Sequence, residues 1–240
     1  MKSQLIRIEN LQPSDRHDLY TLLQTHFEGV QPDVFKADLD QKNWAILLRD
    51  ADTNTLKGFS TLLLHHTEFA GEPLSVIYSG DTITDPSAWS SAALPRTWLA
   101  AIKYLQQRYV VGKLYWLLIC SGYRTYRFLP VFAQEFCPRY DTPMADDCLA
   151  RMNFLAKRYY HSAYDETSGI VRLSHPQILR EGLRSIPVGR QSDRHIRFFM
   201  DKNPGHLQGD ELVCFTEICE ANLTRAGQRI WCAEPFLLVE

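Results

Sequence analysis

The stretch Val76 to Trp98, VIYSGDTITDPSAWSSAALPRTW, passes from a β-branched apolar run into small polar residues and then into a helical pattern. Asp81 interrupts the apolar run, and a carboxylate in that setting is either a proton acceptor at a site or a turn residue in the string SGDT. The serines and alanines that follow stand where a helix would begin. Free backbone N–H groups and the helix dipole both favour an anion there, although Asp85, Pro86 and Ser87 would read the same way if they only started the helix. Cys120-Ser121 marks a second strand-to-helix junction, where a thiolate would be activated by the dipole. No G-x-S-x-G elbow surrounds it and no histidine partner can be assigned, so a buried thiol ending a strand is the stronger reading. Further on, NPGHLQGDELVCF brings Asn203, His206, Asp210 and Glu211 together, either as a solvated turn or with His206 or Glu211 as a base.

Composition narrows the classes of partner. With 240 residues, 45% hydrophobic and 22% charged, the chain can bury a substantial core without staples. A net charge of −2 argues against nucleic acid as the main ligand, since phosphate backbones are met by basic surfaces. The six cysteines are scattered without a C-x-x-C pair and read as reduced, mostly buried thiols. The eight histidines show no H-E-x-x-H or comparable spacing, so no metal site is expected. Neither a signal-peptide core nor a run of about 18 apolar residues is present, which predicts a cytoplasmic protein with no membrane span.

The elements that must position these residues follow from periodicity. QLIRIE alternates as a first strand, and SDRHDLYTLLQTHF carries Leu19, Leu22, Leu23 and Phe27 at helical spacing behind a serine cap. WAILLRD and GFSTLLLHHTEFA form a hairpin across ADTNTLK, and GEP turns the chain into the strand LSVIYSGDTIT. Trp89 to Tyr109 is amphipathic, and Pro95 marks either its start or a kink. KLYWLLIC reads as a buried strand, and SGYRTYRFLPVFAQEF as a helix bent or ended by Pro130. Beyond Pro138, ADDCLARMNFLAKRYYHSAY, HPQILREGLRS and DRHIRFFMD read as helical, GIVRLS as a strand, and NPGHLQGDELVCFTEI as a turn and strand.

The resulting order over roughly residues 4–140, β-α-β-β-β-α-β-α with a polar loop before a long helix, resembles the GNAT acyltransferase superfamily. That resemblance implies an α/β fold of α+β type, a mixed central sheet flanked by helices. It places an acyl-thioester-binding core at residues 1–140 and a C-terminal α/β extension at 141–240 that packs on the core and shapes the acceptor or acyl pocket. In such a fold the fourth and fifth strands, here Leu74 to Thr84 and Lys113 to Cys120, part around the donor's pantetheine. The R/Q-x-x-G-x-G/A phosphate motif of the family is replaced by DPSAWSSAALPR. A carrier-protein-bound thioester, with one phosphate, would ask less of that loop than acyl-CoA.

The activity implied is transfer of an acyl group from an acyl-CoA or acyl-carrier-protein thioester to a small-molecule or peptide amine. Asp81 would be the base, with His206 and Glu211 next in line, and Tyr123 or Tyr126 would protonate the leaving sulfur. Tyr78, Ser79, Thr82, Ser90, Ser91 and Ser121 would hold the donor. The alternatives are a noncatalytic module of the same fold that binds an acyl-thioester or a protein partner, and a cysteine-dependent hydrolase acting through Cys120.

Overall fold

The computed structural model describes residues 1–89, 91–233 and 238–239. In chain order its first elements are β1 (Lys2–Arg7), α1 (Pro13–His26), β2 (Phe27–Glu28), α2 (Pro32–Gln41), β3 (Trp44–Arg49), β4 (Leu56–Phe69), β5 (Glu72–Thr84), α3 (Ala93–Tyr109) and β6 (Lys113–Cys120). There follow α4 (Tyr123–Tyr126), α5 (Phe128–Phe132), α6 (Asp146–Tyr160), β7 (Tyr164–Asp165), β8 (Ile170–Val171), β9 (Ile178–Leu179), α7 (Arg194–Lys202), β10 (Glu211–Glu217), α8 (Arg225–Trp231) and β11 (Leu238–Val239). The fold is a mixed α/β architecture, as the sequence predicts, and its contacts gather into two compact units.

The first unit comprises residues 1–26, 30–114 and 225–240. Its strands lie in the order β11-β1-β3-β4-β5; β11 runs parallel to β1 and every other neighbour is antiparallel. The β3–β4 turn is held by Asp50, whose carboxylate accepts the N–H groups of Asp52 and Thr53 at 3.1 and 2.9 Å. Ala70 and Gly71, with φ of 52° and 83°, make the tight β4–β5 connection, where two successive positive φ values match strand twist. Leu19, Leu22 and Leu23 form the buried side of α1, as their spacing predicts, whereas Phe27, expected on the same face, begins β2. Arg49 of β3 anchors that helix by reaching Asp15 and Asp18 at 2.7 and 2.8 Å. Helix α3 starts at Ala93, which places Pro95 in the first turn, where a missing N–H costs nothing.

The second unit comprises residues 27–29 and 115–224. Here β10 lies antiparallel between β6 and β8, β8 pairs with β7, and β2 pairs with β9. Tyr115 of β6 stacks on Phe215 of β10 with ring centroids 4.9 Å apart.

Several local expectations give way. Helix α2 stands where no element is foreseen, as does α8. The helix expected from SGYRTYRFLPVFAQEF is instead α4 and α5, because Pro130 has no N–H to carry the ladder through. HPQILREGLRS is not helical: Ile178 and Leu179 pair with Glu28 and Phe27, and Gly182 takes φ of 86°. The cysteines are not all reduced, since Cys137 and Cys148 are bonded to each other while Cys120, Cys214, Cys219 and Cys232 are free. Their distance in sequence hid the pair, which closes the loop leading into α6.

Candidate functional site

In the first unit the geometry around Asp81 begins with a break in strand pairing. Ser60 faces Thr82 and Leu62 faces Ser79, so Gly80 and Asp81 together oppose the single residue Thr61. This is a β-bulge, a device that re-aims side chains and is common beside active sites. Thr82 braces it, its hydroxyl lying 2.8 Å from Ser60 Oγ and 3.2 Å from the Gly80 carbonyl, to which it donates. Tyr78 is half-buried and Ser79 is buried.

Over the bulge lies Lys42, just past the end of α2. Helix α2 forms because Pro32 opens its first turn and Phe35 and Leu39, four apart, bury one face. The Lys42 side chain is only 2% exposed, and its ammonium donates to Asp38 Oδ1 at 2.6 Å and to the Asp38 carbonyl at 3.2 Å. The same ammonium sits 5.3 Å from the centre of the Tyr78 ring. Gly80 makes room for it: a Cβ there would lie 2.6 Å from Lys42 Cε and 2.5 Å from Thr61 Oγ1. That threonine hydroxyl is buried and, among the described residues, has no hydrogen-bond partner.

Burial raises the Asp81 carboxyl from 3.8 to about 7, the nearby charge of Asp38 adds to the rise, and Lys42 opposes it. A carboxyl that changes protonation near neutral pH is suited to take up and release a proton. Sequence reasoning misses Lys42 and Asp38 because it misses α2, for which Pro32, Asp33 and the Phe35–Leu39 spacing are the available signal. It misses Thr61 because nothing in β4 alone shows which strand residue it will face.

The loop after β5 is built as a cap. Asp85 Oδ1 accepts the Ser87 N–H at 2.9 Å and the Ser87 hydroxyl, while Asp85 Oδ2 lies 3.3 Å from His26 Nε2. The hydroxyl bond from Ser87 is the main reason the Asp85 carboxyl is held below its ordinary value. Ser91 Oγ accepts the Ala93 N–H at 3.1 Å, and Ala92, the residue before α3, contributes no side-chain cap. Ser90 lies outside the described residues.

The other expected site residues belong to the second unit. Tyr126 is buried, its hydroxyl donates to the Pro138 carbonyl at 2.9 Å, and its ring packs 5.7 Å from Phe199. Burial drives its ionisation well above the ordinary tyrosine range. Tyr123 is also buried, under the Arg124 guanidinium, 4.9 Å from the ring centre. His206 stands edge-on to Phe199 at 5.6 Å, and burial lowers its pKa, which favours the neutral ring. Glu211 opens β10 opposite Val171, and Asp210 is engaged by Arg172 Nε at 3.1 Å.

Ser121 lies between β6 and α4, and α4 is only four residues long, too short to supply a substantial dipole to Cys120. Cys120 is fully buried 3.9 Å from Cys214, and burial pushes its thiol pKa well up, the reverse of nucleophile activation. Cys120 is therefore expected to resist alkylation in the folded protein while exposed Cys232 reacts. Peptide mapping after brief iodoacetamide treatment checks this, and early labelling of Cys120 would contradict the burial argument.

Among the described residues no three His, Cys, Asp or Glu side chains converge as metal ligands would, and no helix is long and apolar enough to cross a membrane. No protein-family model matches the sequence, and no curated protein matches it significantly. Solved structures with similar backbones include a conserved protein of unknown function from Enterococcus faecalis described as a probable N-acyltransferase. It has a TM-score of 0.40 and 14% identity over 57% of this chain, which spans only 33% of that protein. A GNAT family N-acetyltransferase from Escherichia coli in complex with CoA gives 0.37 and 15% identity, over 53% of this chain and 68% of its own. Glucosamine-6-phosphate N-acetyltransferase from Arabidopsis thaliana gives 0.40 and 10% identity, over 61% and 98%.

Proposed function

We propose that this chain is an acyltransferase of GNAT-like type, moving an acyl group from an acyl-CoA or acyl-carrier-protein thioester to a small-molecule or peptide amine. The observation that carries the reading is Asp81, a carboxyl at a strand bulge with its pKa raised to about 7. In the proposed reaction the amine nitrogen attacks the thioester carbonyl, the C–N bond forms and the C–S bond breaks. Asp81 takes the proton shed by nitrogen, and the departing thiolate acquires one from solvent. Tyr78, Ser79 and Thr82 on β5, and Ser91 ahead of α3, are the donor-binding residues of this reading.

The first test follows thiol release from short- and long-chain acyl-CoAs, and from an acylated carrier protein, with a panel of amines. Thermal stabilisation by the same donors is measured alongside. Release that depends on both donor and amine is expected; neither release nor stabilisation by any donor would overturn the reading. Ser91→Asp is expected to weaken donor binding about two- to fivefold, for roughly 0.5–1 kcal/mol of repulsion between a carboxylate and a phosphate at a helix start. Calorimetry showing unchanged affinity in a folded Ser91→Asp protein would remove that loop from the site.

A further inference from the structure

We propose that Lys42 is a positioning residue of the Asp81 site, a buried cation clamped by Asp38 that favours the ionised, proton-accepting form of Asp81 against the burial that opposes it. The inference rests on the acyltransferase reading for its catalytic meaning, but the coupling between the two side chains can be measured without any reaction.

Four observations converge on it. Lys42 is 2% exposed at its side chain, so it cannot itself meet a substrate, whereas Asp81 retains part of its surface. An ammonium so enclosed needs compensation, and Asp38 supplies it through two oxygens on one side only. The lysine stem lies directly on Gly80, the residue before Asp81, at a point where any Cβ would collide with it. The adjacent Thr61 hydroxyl is buried and has no hydrogen-bond partner among the described residues, so it offers the ammonium and the bulge a polar wall that carries no charge. Among the described residues the charged groups acting on Asp81 are thus Asp38 from α2 and Lys42 just after it; β4 presents the uncharged Thr61, and Tyr78 of β5 lies against the ammonium.

The arrangement is a balance of opposite signs. Asp38 disfavours a negative Asp81, Lys42 favours it, and Asp38 also decides where the ammonium sits. Removing the lysine charge and removing the aspartate charge must therefore move Asp81 in opposite directions. If the lysine only filled space over Gly80, removing its charge would leave the Asp81 midpoint where it is, and the Asp38 variant alone would shift it.

The experiment is a carboxyl-carbon NMR titration of the full-length protein labelled at aspartate, with the Asp81 signal assigned by its loss in Asp81→Asn. Lys42→Met keeps the stem over Gly80 and removes the charge; the Asp81 midpoint is expected to rise by about one pH unit or more, a tenfold gain in proton affinity. Asp38→Asn is expected to lower the midpoint. An unchanged Asp81 midpoint in folded Lys42→Met, or shifts of the same sign in the two variants, would overturn the proposal; if Lys42→Met does not fold, Lys42→Gln, which also keeps a long uncharged stem over Gly80, is titrated in its place. Where transfer activity is found, the acidic limb of its pH profile should follow the same midpoints with little change in donor KM. Midpoints that move as expected in a protein with no transfer activity would uphold the coupling and reject the acyltransferase reading.

Discussion

Asp81→Asn is expected to lower kcat for acyl transfer by roughly 10²–10⁴-fold, the usual span for loss of a general base, with donor binding retained. Asn preserves the shape of the side chain at the bulge and removes its ability to hold a proton. The same variant carries a second signature. The folded-state pKa of Asp81 is about 7, above its ordinary 3.8, so folding favours the protonated form. Stability from this group is full at low pH, declines as pH rises above about 3.8, and has been lost once pH passes about 7. Asn has no ionised form to penalise. Asp81→Asn should therefore be more stable than wild type at mildly alkaline pH by up to a few kcal/mol, since each tenfold change in proton affinity on folding is worth about 1.4 kcal/mol, and the gain should vanish in acid. Single-turnover rates and denaturant unfolding across a pH series measure both. A normal rate with no alkaline stability gain would identify Asp81 as an ordinary turn residue.

Gly112→Ala should cost about 3 kcal/mol or more. Gly112 has φ of 67°, a left-handed conformation that costs roughly 1–2 kcal/mol for a residue with a Cβ, and that Cβ would sit on the Pro73 carbonyl oxygen. The neighbouring backbone cannot step aside, because the Val111 N–H donates to Ser75 Oγ at 2.8 Å and the Ser75 hydroxyl donates to the Val111 carbonyl at 2.8 Å. In a chain of this size the loss corresponds to a fall in Tm of roughly 6–12 °C. Gly71 is the control: its φ is 83° but nothing lies within 4 Å of a Cβ, so Gly71→Ala should cost only about 1 kcal/mol. Equal losses in the two variants, read by thermal unfolding, would contradict the contact argument.

Strands and long helices are legible where the apolar pattern is both regular and buried. KLYWLLIC is β6 residue for residue, and Leu19, Leu22 and Leu23 mark the inner side of α1. Legibility fails where a short segment answers to something distant in the chain. Ile178 and Leu179 carry a helix-like spacing with Leu183, yet pairing with Phe27 and Glu28 claims them. The site divides in the same way. Asp81 stands out because it interrupts an apolar strand, whereas the residues that set its charge arrive from α2 and its end, and no local pattern joins Lys42 to Gly80 or Thr61. A bulge, too, is a property of two strands read together, and one strand's sequence does not announce it.

The parallel pairing of Gln4 and Leu5 with Leu238 and Val239 has a consequence for biosynthesis. Strand β1 is made long before its partner β11. While the intervening chain is being made, the outer edge of β1 has unpaired amide and carbonyl groups, the kind of edge that recruits foreign strands or chaperones. Residues 115–224, by contrast, are all available before α8 and β11 are made. The unit that holds Asp81 is completed only after Leu238 and Val239 have emerged, by a closure of long sequence separation that is intrinsically slow.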